Sequence, residues 1–257
     1  MHFAFLGTSG AVPSLGRDNT SLVFVGGGEA VLVDCAGSPI QKLLLAAVEP
    51  LTVSLVIITH LHVDHAYGLP SFVRNLNLLG RRAPLRIACR EEHVEPIRAL
   101  LGVFRILDRP DMFPIQVEPV RAVERAAVGA AGPFTIAASP SAHGAMPTLA
   151  LRFDVAGGPT VVYSSDTEPC AAVVDLACGA DTLIHEATYA EGDQRRVGAH
   201  STAGQAGEVA ARAGVRRLIL AHLGATHHDE VERLAVEARA RFGGEVEIAE
   251  ELIPYPL

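Results

Sequence analysis

The sequence predicts an α/β protein in which two mixed β-sheets are sandwiched between helices, a four-layer αββα arrangement. Three observations lead there. Short apolar runs rich in β-branched residues recur along the 257 residues, with helical patterns between many of them. The second half repeats the grammar of the first. Meanders and β-α units occur together without a dinucleotide-type glycine fingerprint, which points to two sheets between helices.

Taken in order, His2 to Leu6, Ser21 to Val25 and Ala30 to Val33 read as three opening strands, the last two joined by a Gly26-Gly27-Gly28 turn. Pro39 to Val48 reads as a helix, with Ser38 as N-cap and Pro39 at the first helical position, where its missing N–H costs nothing. Val53 to Thr59 is continuously apolar, as a strand buried on both faces must be. Tyr67 to Leu79 and Glu91 to Leu101 are helices around the strand Leu85 to Ala88. Strands follow at Phe134 to Ala138, Thr148 to Phe153, Thr160 to Ser164 and Asp181 to Ile184. The helix Thr202 to Ala213, the strand Arg217 to Ala221 and the helix Asp229 to Phe242 complete the pattern. Between Gly102 and Gly132, Pro110, Pro114, Pro119 and glycine-rich turns prevent an assignment. No linker composition divides the chain, so residues 1–257 are read as a single domain.

A hydrophobic fraction of 49% with 19% charged residues excludes a disordered or collagen-like chain. The net charge of -8 argues against a general nucleic-acid binder, which clusters cations against phosphates. Cys35, Cys89, Cys170 and Cys178 form no CxxC pair and are read as small buried hydrophobes of a reducing compartment. Met1 to Leu6 reads as a strand rather than a signal peptide, and no apolar run is long enough to span a bilayer. The expectation is a cytoplasmic protein.

The chemistry begins where the buried strand ends. Thr59-His60-Leu61-His62-Val63-Asp64-His65 places three imidazoles and a carboxylate at the end of a strand, where a rigid sheet can make them converge. In extended chain His60, His62 and Asp64 share a face, and a turn brings His65 back toward them. The nitrogen and oxygen set suits zinc and similar divalent ions. A polar turn with incidental histidines is the alternative, but burying that much ionisable surface without a partner is costly. These ligands cannot fill two coordination shells. Three further strands end in one polar group: Phe134 to Ala138 leads to His143, Thr160 to Ser165 to Asp166, and Arg217 to Ala221 to His222. Asp166, with two carboxylate oxygens, is the natural bridge between two ions.

These segments, THLHVDHAYGLP, His143, SSDTEP around Asp166 and His222, resemble the metallo-β-lactamase fold superfamily. GTSGAVPSLGRDNTS, His185-Glu186-Ala187-Thr188 and His200-Ser201-Thr202-Ala203 narrow the resemblance to its ribonuclease Z-like branch, over nearly the whole chain. The resemblance implies one ion on His60, His62 and His143 and a second on Asp64, His65 and His222, with Asp166 bridging. It implies two divalent ions, zinc first and manganese or iron as alternatives, generating a hydroxide that Asp64 orients or deprotonates. His200 paired with Glu186 is the candidate general acid, the carboxylate fixing its tautomer and raising its pKa. The opening loop Gly7 to Thr20, with Arg17, Asn19 and Thr20, and also Ser201 and Thr202, are candidates for substrate binding. His185 is read as a supporting or packing group. His2, His93, His227 and His228 are read as surface or satisfied histidines.

One departure matters. Transfer-RNA-processing members carry a long basic arm between the segments corresponding to His143 and Asp166. Here that interval holds a strand, a Gly157-Gly158-Pro159 turn and another strand, with Arg152 its only basic residue. The leading expectation is therefore a binuclear phosphodiesterase acting on a small phosphodiester, a cyclic phosphate ester or a short nucleic-acid end. Ribonuclease Z is the alternative, and hydrolysis of a lactone, carboxylic ester or thioester a further one. A non-catalytic metal-stabilised protein and a redox di-iron protein rank below these, the latter because His62 stands where such relatives carry a carboxylate. A homodimer is expected, and no membrane partner.

Overall fold

In the computed structural model, which describes residues 1–193 and 199–257, two seven-stranded sheets pack face to face with helices on both outer surfaces. The first sheet is built from β1 (His2–Gly7), β2 (Ser21–Gly26) and β3 (Glu29–Val33). α1 (Pro39–Leu45) leads to β4 (Val53–Ile58), α2 (Val63–Ala66) and α3 (Leu69–Leu78) to β5 (Leu85–Arg90), and α4 (Val94–Val103) to β6 (Ile115–Val120). The second sheet begins with β7 (Ala126–Ala131), β8 (Phe134–Ser141), β9 (Thr148–Val155) and β10 (Thr160–Tyr163). It continues through α5 (Ala171–Ala177), β11 (Thr182–Glu186), α6 (Ala203–Ala213), β12 (Arg217–Ala221), α7 (Val231–Arg239) and β13 (Glu245–Ile248). β14 (Tyr255–Pro256) returns to the first sheet, beside β1. The αββα expectation holds.

Both sheets are mixed for a local reason. Gly27 and Gly28 both take positive φ, 60° and 81°, so the tight β2–β3 turn forces an antiparallel pair. β4, β5 and β6 are each reached through a helix and pair parallel, whereas β14 pairs antiparallel with β1. In the second sheet the chain meanders from β7 to β10, then crosses through helices to the parallel β11, β12 and β13.

The apolar run of β4 shows how the layers are filled. Leu55 and Ile57 face the other sheet, whereas Val53, Val56 and Ile58 face α1, α3 and α4. Between the sheets Phe24 stacks on Phe153 with centroids 3.8 Å apart. Each fully buried side chain of this size contributes about 1.5–3 kcal/mol. The alanine-rich face of α6 packs with α5 and α7 on the outside of the second sheet.

Where the sequence offered no assignment, the structure has the crossover between the sheets. β6 is an edge strand of the first sheet and β7 of the second. Pro119 sits within β6, as an edge tolerates, and Gly129 (φ 128°) sits at a register shift in β7. The expected helix Tyr67 to Leu79 is found as α3, beginning at Leu69; the single turn α2 ahead of it was not expected, and Gly68 lies between the two, where an added Cβ would lie 2.8 Å from the Cys35 carbonyl oxygen. The helix α5 and the strands β13 and β14 were not expected. No described helix is long and apolar enough to cross a membrane.

Candidate metal centre

The polar strand ends meet at one rim of the sandwich. β3 ends at Asp34, β4 at Thr59-His60, β8 near His143, β10 at Ser165-Asp166, β11 at Glu186 and β12 at His222. Asp34, Ser165 and His222 have φ of 58°, 52° and 52°, a left-handed backbone that costs a non-glycine residue about 1–3 kcal/mol. Each turns the chain sharply as it leaves a strand. α2, a single turn, returns His65 beneath His60, their rings 4.0 Å apart.

Three groups of donors overlap here. His60, His62, His143 and Asp166 form one, Asp64, His65 and His222 a second, and Asp166, His200 and His222 a third, with atoms of each group within 4.8 Å of one another. Asp166 Oδ2 lies 3.2 Å from His222 Nε2, 3.4 Å from His65 Nε2, 3.6 Å from His60 Nε2 and 3.8 Å from His143 Nε2. Asp64 Oδ2 is 3.5 Å from His65 Nε2 and 3.7 Å from His222 Nε2. All seven ligand candidates from the sequence are thus brought together.

A divalent cation fits this set because the proton-bearing nitrogens point outward. His143 Nδ1 donates to the Ala199 carbonyl (2.7 Å) and His65 Nδ1 to Asp34 Oδ2 (2.8 Å). Thr59 spends its hydroxyl proton on Asp34, so its oxygen accepts from His60 Nδ1 (3.1 Å). His62 is turned the other way, its Nδ1 3.1 Å from His60 Nε2 and 3.0 Å from His143 Nε2. Among the described residues, the buried atoms His65 Nε2, His222 Nε2 and Asp166 Oδ1 have no hydrogen-bond partner. Unpartnered ring nitrogens and a carboxylate oxygen converging on one point are what a cation resolves.

The charges agree with the geometry. Burial pushes the His60 pKa well below its ordinary value. Burial also opposes the charged form of His65, but the carboxylates of Asp166 and Asp34 outweigh it and raise its pKa well above the usual range. Asp166 is held well below the carboxylate range despite burial, by His222 and His65. A cation held here would compete with a proton for His65.

Glu186 and His200 stand beside the cluster. Fully buried Glu186 accepts from His200 Nδ1 (2.8 Å) and the Thr167 amide (2.9 Å) through Oε1, and from the Thr188 amide (3.1 Å) and hydroxyl (2.8 Å) through Oε2. His200 lies 4.0 Å from Asp166 and stacks on His222 at 5.4 Å. Burial works against its charge, but the hydrogen bond and charge of Glu186 prevail and raise its pKa to about 9. A cavity of about 380 Å³ opens at the centre, lined by His62 and His143 with an apolar wall of Ala145, Met146, Pro147 and Ala199.

The proposed substrate-binding side chains are spent on structure. Arg17 donates to Thr8 Oγ1 and the Ala249 carbonyl, Asn19 to the Gly10 carbonyl, and Thr20 to the Ser9 carbonyl. Ser201 donates to the Thr167 carbonyl, and Thr202 caps α6 in a reciprocal capping box with Gln205. The opening loop reaches the centre only as backbone: Gly10 lies against His222, where a Cβ would come within 3.1 Å of Cε1. His185, alternating with Glu186, points to the helix side. His227 pairs with Asp193, and His228 lies within hydrogen-bond reach of Ser9 and Ser14. Buried His93 is neither at the surface nor satisfied, since its Nδ1 has no partner. Cys35 and Cys89 are buried as expected, whereas Cys178 is exposed.

Sequence reasoning missed Asp34, Thr59, Ser165 and Thr188. Asp34 carried the same signal that found Asp166, an apolar strand (VLV) ending in one polar residue.

Residues 29–223 match the family model described as a Beta-lactamase superfamily domain. The chain belongs to the metallo-β-lactamase fold superfamily, a class of metal-dependent hydrolases. It is 33% identical to a Ribonuclease Z of Methanothermobacter thermautotrophicus, over 94% of this chain and 92% of that one. It is 32% identical to a Ribonuclease Z of Myxococcus xanthus, over 97% and 95%. Within the superfamily its place is the ribonuclease Z-like branch. Among solved structures, the metallo-beta-lactamase fold protein YhfI of Bacillus subtilis superposes with a TM-score of 0.81 at 25% identity, covering 97% of this chain and 96% of that one. Human tRNase Z, short form, shares the fold at TM-score 0.80 and 22% identity, with all of both chains covered.

Proposed function

We propose that this chain is a binuclear phosphodiesterase in which His60, His62 and His143 hold one divalent ion, Asp64, His65 and His222 hold the second, and Asp166 bridges them. The observation that carries the reading is the shared carboxylate: Asp166 Oδ2 lies within 4 Å of a nitrogen from each donor group and of His200. The all-nitrogen-and-carboxylate donor set suits zinc, with manganese or iron as alternatives. When bound, such a pair supplies a nucleophilic oxygen at neutral pH and a positive field for the phosphoryl oxygens. Asp64, the more accessible of the two cluster carboxylates, orients the attacking oxygen and takes its proton. His200, anchored through Nδ1 to Glu186, gives its remaining N–H proton to the leaving oxygen. The apolar wall of Met146 and Pro147 limits water beside the ester.

The favoured substrate is a small phosphodiester, a cyclic phosphate ester or a short nucleic-acid end. β9 and β10 are joined by a turn over residues 156–159, so the interval between His143 and Asp166 holds no arm. The alignment with the Methanothermobacter relative runs over 295 positions, more than the 257 of this chain, so that relative carries segments absent here. A second reading, ribonuclease Z activity, is favoured by that relative's name and by its near-complete coverage. Residues 1–257 are proposed to work as one domain. A homodimer is proposed on the exposed Leu44 and Leu45 of α1 and Leu78 at the end of α3; sedimentation at micromolar concentration tests it.

The deciding experiment compares turnover of bis(p-nitrophenyl) phosphate, a precursor transfer RNA and a lactone panel by zinc-loaded protein, with Asp64→Ala and His200→Ala variants. Phosphodiester cleavage lost in both variants is expected. Cleavage of lactones alone overturns the reading, and efficient precursor processing shifts it to ribonuclease Z. Fewer than two ions per chain at saturation removes the binuclear assignment.

A further inference from the structure

We infer that Thr188 is a positioning residue: it fixes which nitrogen of His222 is free for a cation and ties that nitrogen, through Glu186, to the same carboxylate that holds His200. The inference rests on His222 being a metal ligand, as proposed above.

A single hydroxyl proton decides the tautomer. A threonine hydroxyl has one proton and two lone pairs. Thr188 Oγ1 has two oxygens to donate to, Glu186 Oε2 at 2.8 Å and the His222 carbonyl at 3.2 Å. Glu186 is an ionised, acceptor-only carboxylate, its pKa drawn down against burial by His200, and it takes the shorter bond. Either choice leaves no hydroxyl proton for its two nitrogen neighbours, His200 Nδ1 at 3.3 Å, which has Glu186 Oε1 nearer at 2.8 Å, and His222 Nδ1 at 3.0 Å. The His222 contact is a hydrogen bond only if Nδ1 carries the imidazole proton. In the neutral ring Nε2 is then bare, and it is this nitrogen that lies 3.2 Å from Asp166 Oδ2 and has no hydrogen-bond partner.

The backbone holds the arrangement in place. The Ala187 amide donates to the Ala221 carbonyl, so the chain carrying Thr188 runs beside the end of β12 just before His222. The Thr188 amide also reaches Glu186 Oε2, so this residue contributes both donors that fix that oxygen. The two oxygens of Glu186 thus serve two histidines: Oε1 takes His200 Nδ1, and Oε2 sets His222 by way of Thr188. His60, His65 and His143 have their Nδ1 protons accepted by Thr59, Asp34 and a main-chain carbonyl, none of which touches Glu186. His222 alone among these ligands is coupled to the residue that holds the candidate acid.

Thr188→Val removes the lone pairs at nearly constant volume, and Thr188→Ser keeps them. Two readouts without substrate decide the matter. Long-range ¹H–¹⁵N correlation on metal-free protein is expected to show His222 protonated at Nδ1 in the wild type and in Thr188→Ser, and a mixed or Nε2-protonated ring in Thr188→Val. Chelator competition is expected to show zinc bound roughly 10–100-fold more weakly by Thr188→Val, as loss of a supporting hydrogen bond to a ligand generally does, and nearly unchanged by Thr188→Ser. A wild-type His222 protonated at Nε2 overturns the inference by itself, even if Thr188→Val does not fold. Wild-type zinc affinity in a folded Thr188→Val protein overturns it equally. His222→Ala with undiminished zinc content would remove the ligand assignment and this inference with it, whereas a wild type that binds two zinc ions yet cleaves no phosphodiester defeats the proposed function alone.

Discussion

Replacing Asp34 by alanine leaves the proposed metal ligands untouched, yet the geometry makes it one of the most damaging single changes near the centre. Its carboxylate is fully buried and accepts from the Thr59 amide (2.8 Å), the Thr59 hydroxyl (2.9 Å) and His65 Nδ1 (2.8 Å). In Asp34→Ala the hydroxyl can rotate, but the amide and the imidazole N–H cannot, and each stays buried without an acceptor. At about 1–3 kcal/mol for each such donor, the folded state loses about 2–6 kcal/mol, a large share of the total of about 5–15 kcal/mol usual for a protein. His65 also loses the acceptor that directs its Nε2 toward Asp166, so zinc affinity should fall roughly 10–100-fold. Urea unfolding of the metal-free protein measures the first effect and chelator competition of the folded variant the second. Asp34→Asn keeps one acceptor oxygen and should fall between. If Asp34→Ala unfolds within about 0.5 kcal/mol of the wild type, inside ordinary surface-mutation scatter, and binds zinc normally, the reasoning about this carboxylate is wrong.

Other outcomes follow from the same geometry. A general acid must be protonated, so phosphodiester turnover should fall as pH rises through about 9, the value to which Glu186 raises His200. Glu186→Gln should move that alkaline limb down toward the ordinary histidine value, and an unmoved pH–rate profile would count against the pair. The linked stability has the same sign: the raised pKa of His200 stabilises the fold below the unfolded value and is lost as pH climbs past about 9, which urea midpoints across that range would show. Stripping the metal should lower the melting temperature, since a ligand at a thousandfold excess over its Kd adds about 4 kcal/mol; calorimetry with and without chelator checks it. Gly10→Ala should weaken zinc binding without unfolding the protein, because the new Cβ would press on His222 Cε1 from 3.1 Å; equal affinity in a competition titration would show that the loop simply yields.

The parts of this fold that were legible in the sequence are those where one physical cause dominates. β4 could be read because both of its faces are buried, and α6 because Thr202 and Gln205 announce its first turn. The segment 102–132 was not readable because β6 and β7 are edge strands, where proline and glycine are tolerated and the alternation of burial weakens. The convergence of the proposed metal ligands was readable because an ionisable group at the end of an apolar strand has few other reasons to be there. Thr188 had no such mark: its importance lies in the ownership of one hydroxyl proton, which only the positions of Glu186 and His222 reveal. Arg17 misled for the opposite reason, since a cation in a glycine-rich loop suggests phosphate, while its guanidinium in fact ties that loop to Thr8 and Ala249.

The strained turns give the centre its order. Asp34, Ser165 and His222 all hold left-handed φ without being glycine, at about 1–3 kcal/mol each. The side chains of Asp34 and Ser165 belong to one connected system: Ser165 donates to the Thr59 hydroxyl, Thr59 donates to Asp34, and Asp34 accepts from His65, while His222 is held separately by Thr188. Ser165 also places Asp166, the next residue, beneath all four Nε2 atoms. A glycine at Asp34 or Ser165 would relieve the backbone but delete the side chain that directs a proposed ligand, and at His222 it would delete a proposed ligand itself. Ser165→Gly should therefore hold or gain stability in the turn itself while weakening metal binding, and Ser165→Ala should weaken binding with no relief of strain. Urea unfolding combined with zinc competition separates the two effects. If Ser165→Gly bound zinc as tightly as the wild type, the hydrogen-bonded system beneath the ligands would be an accompaniment of the fold and not its means of aiming them.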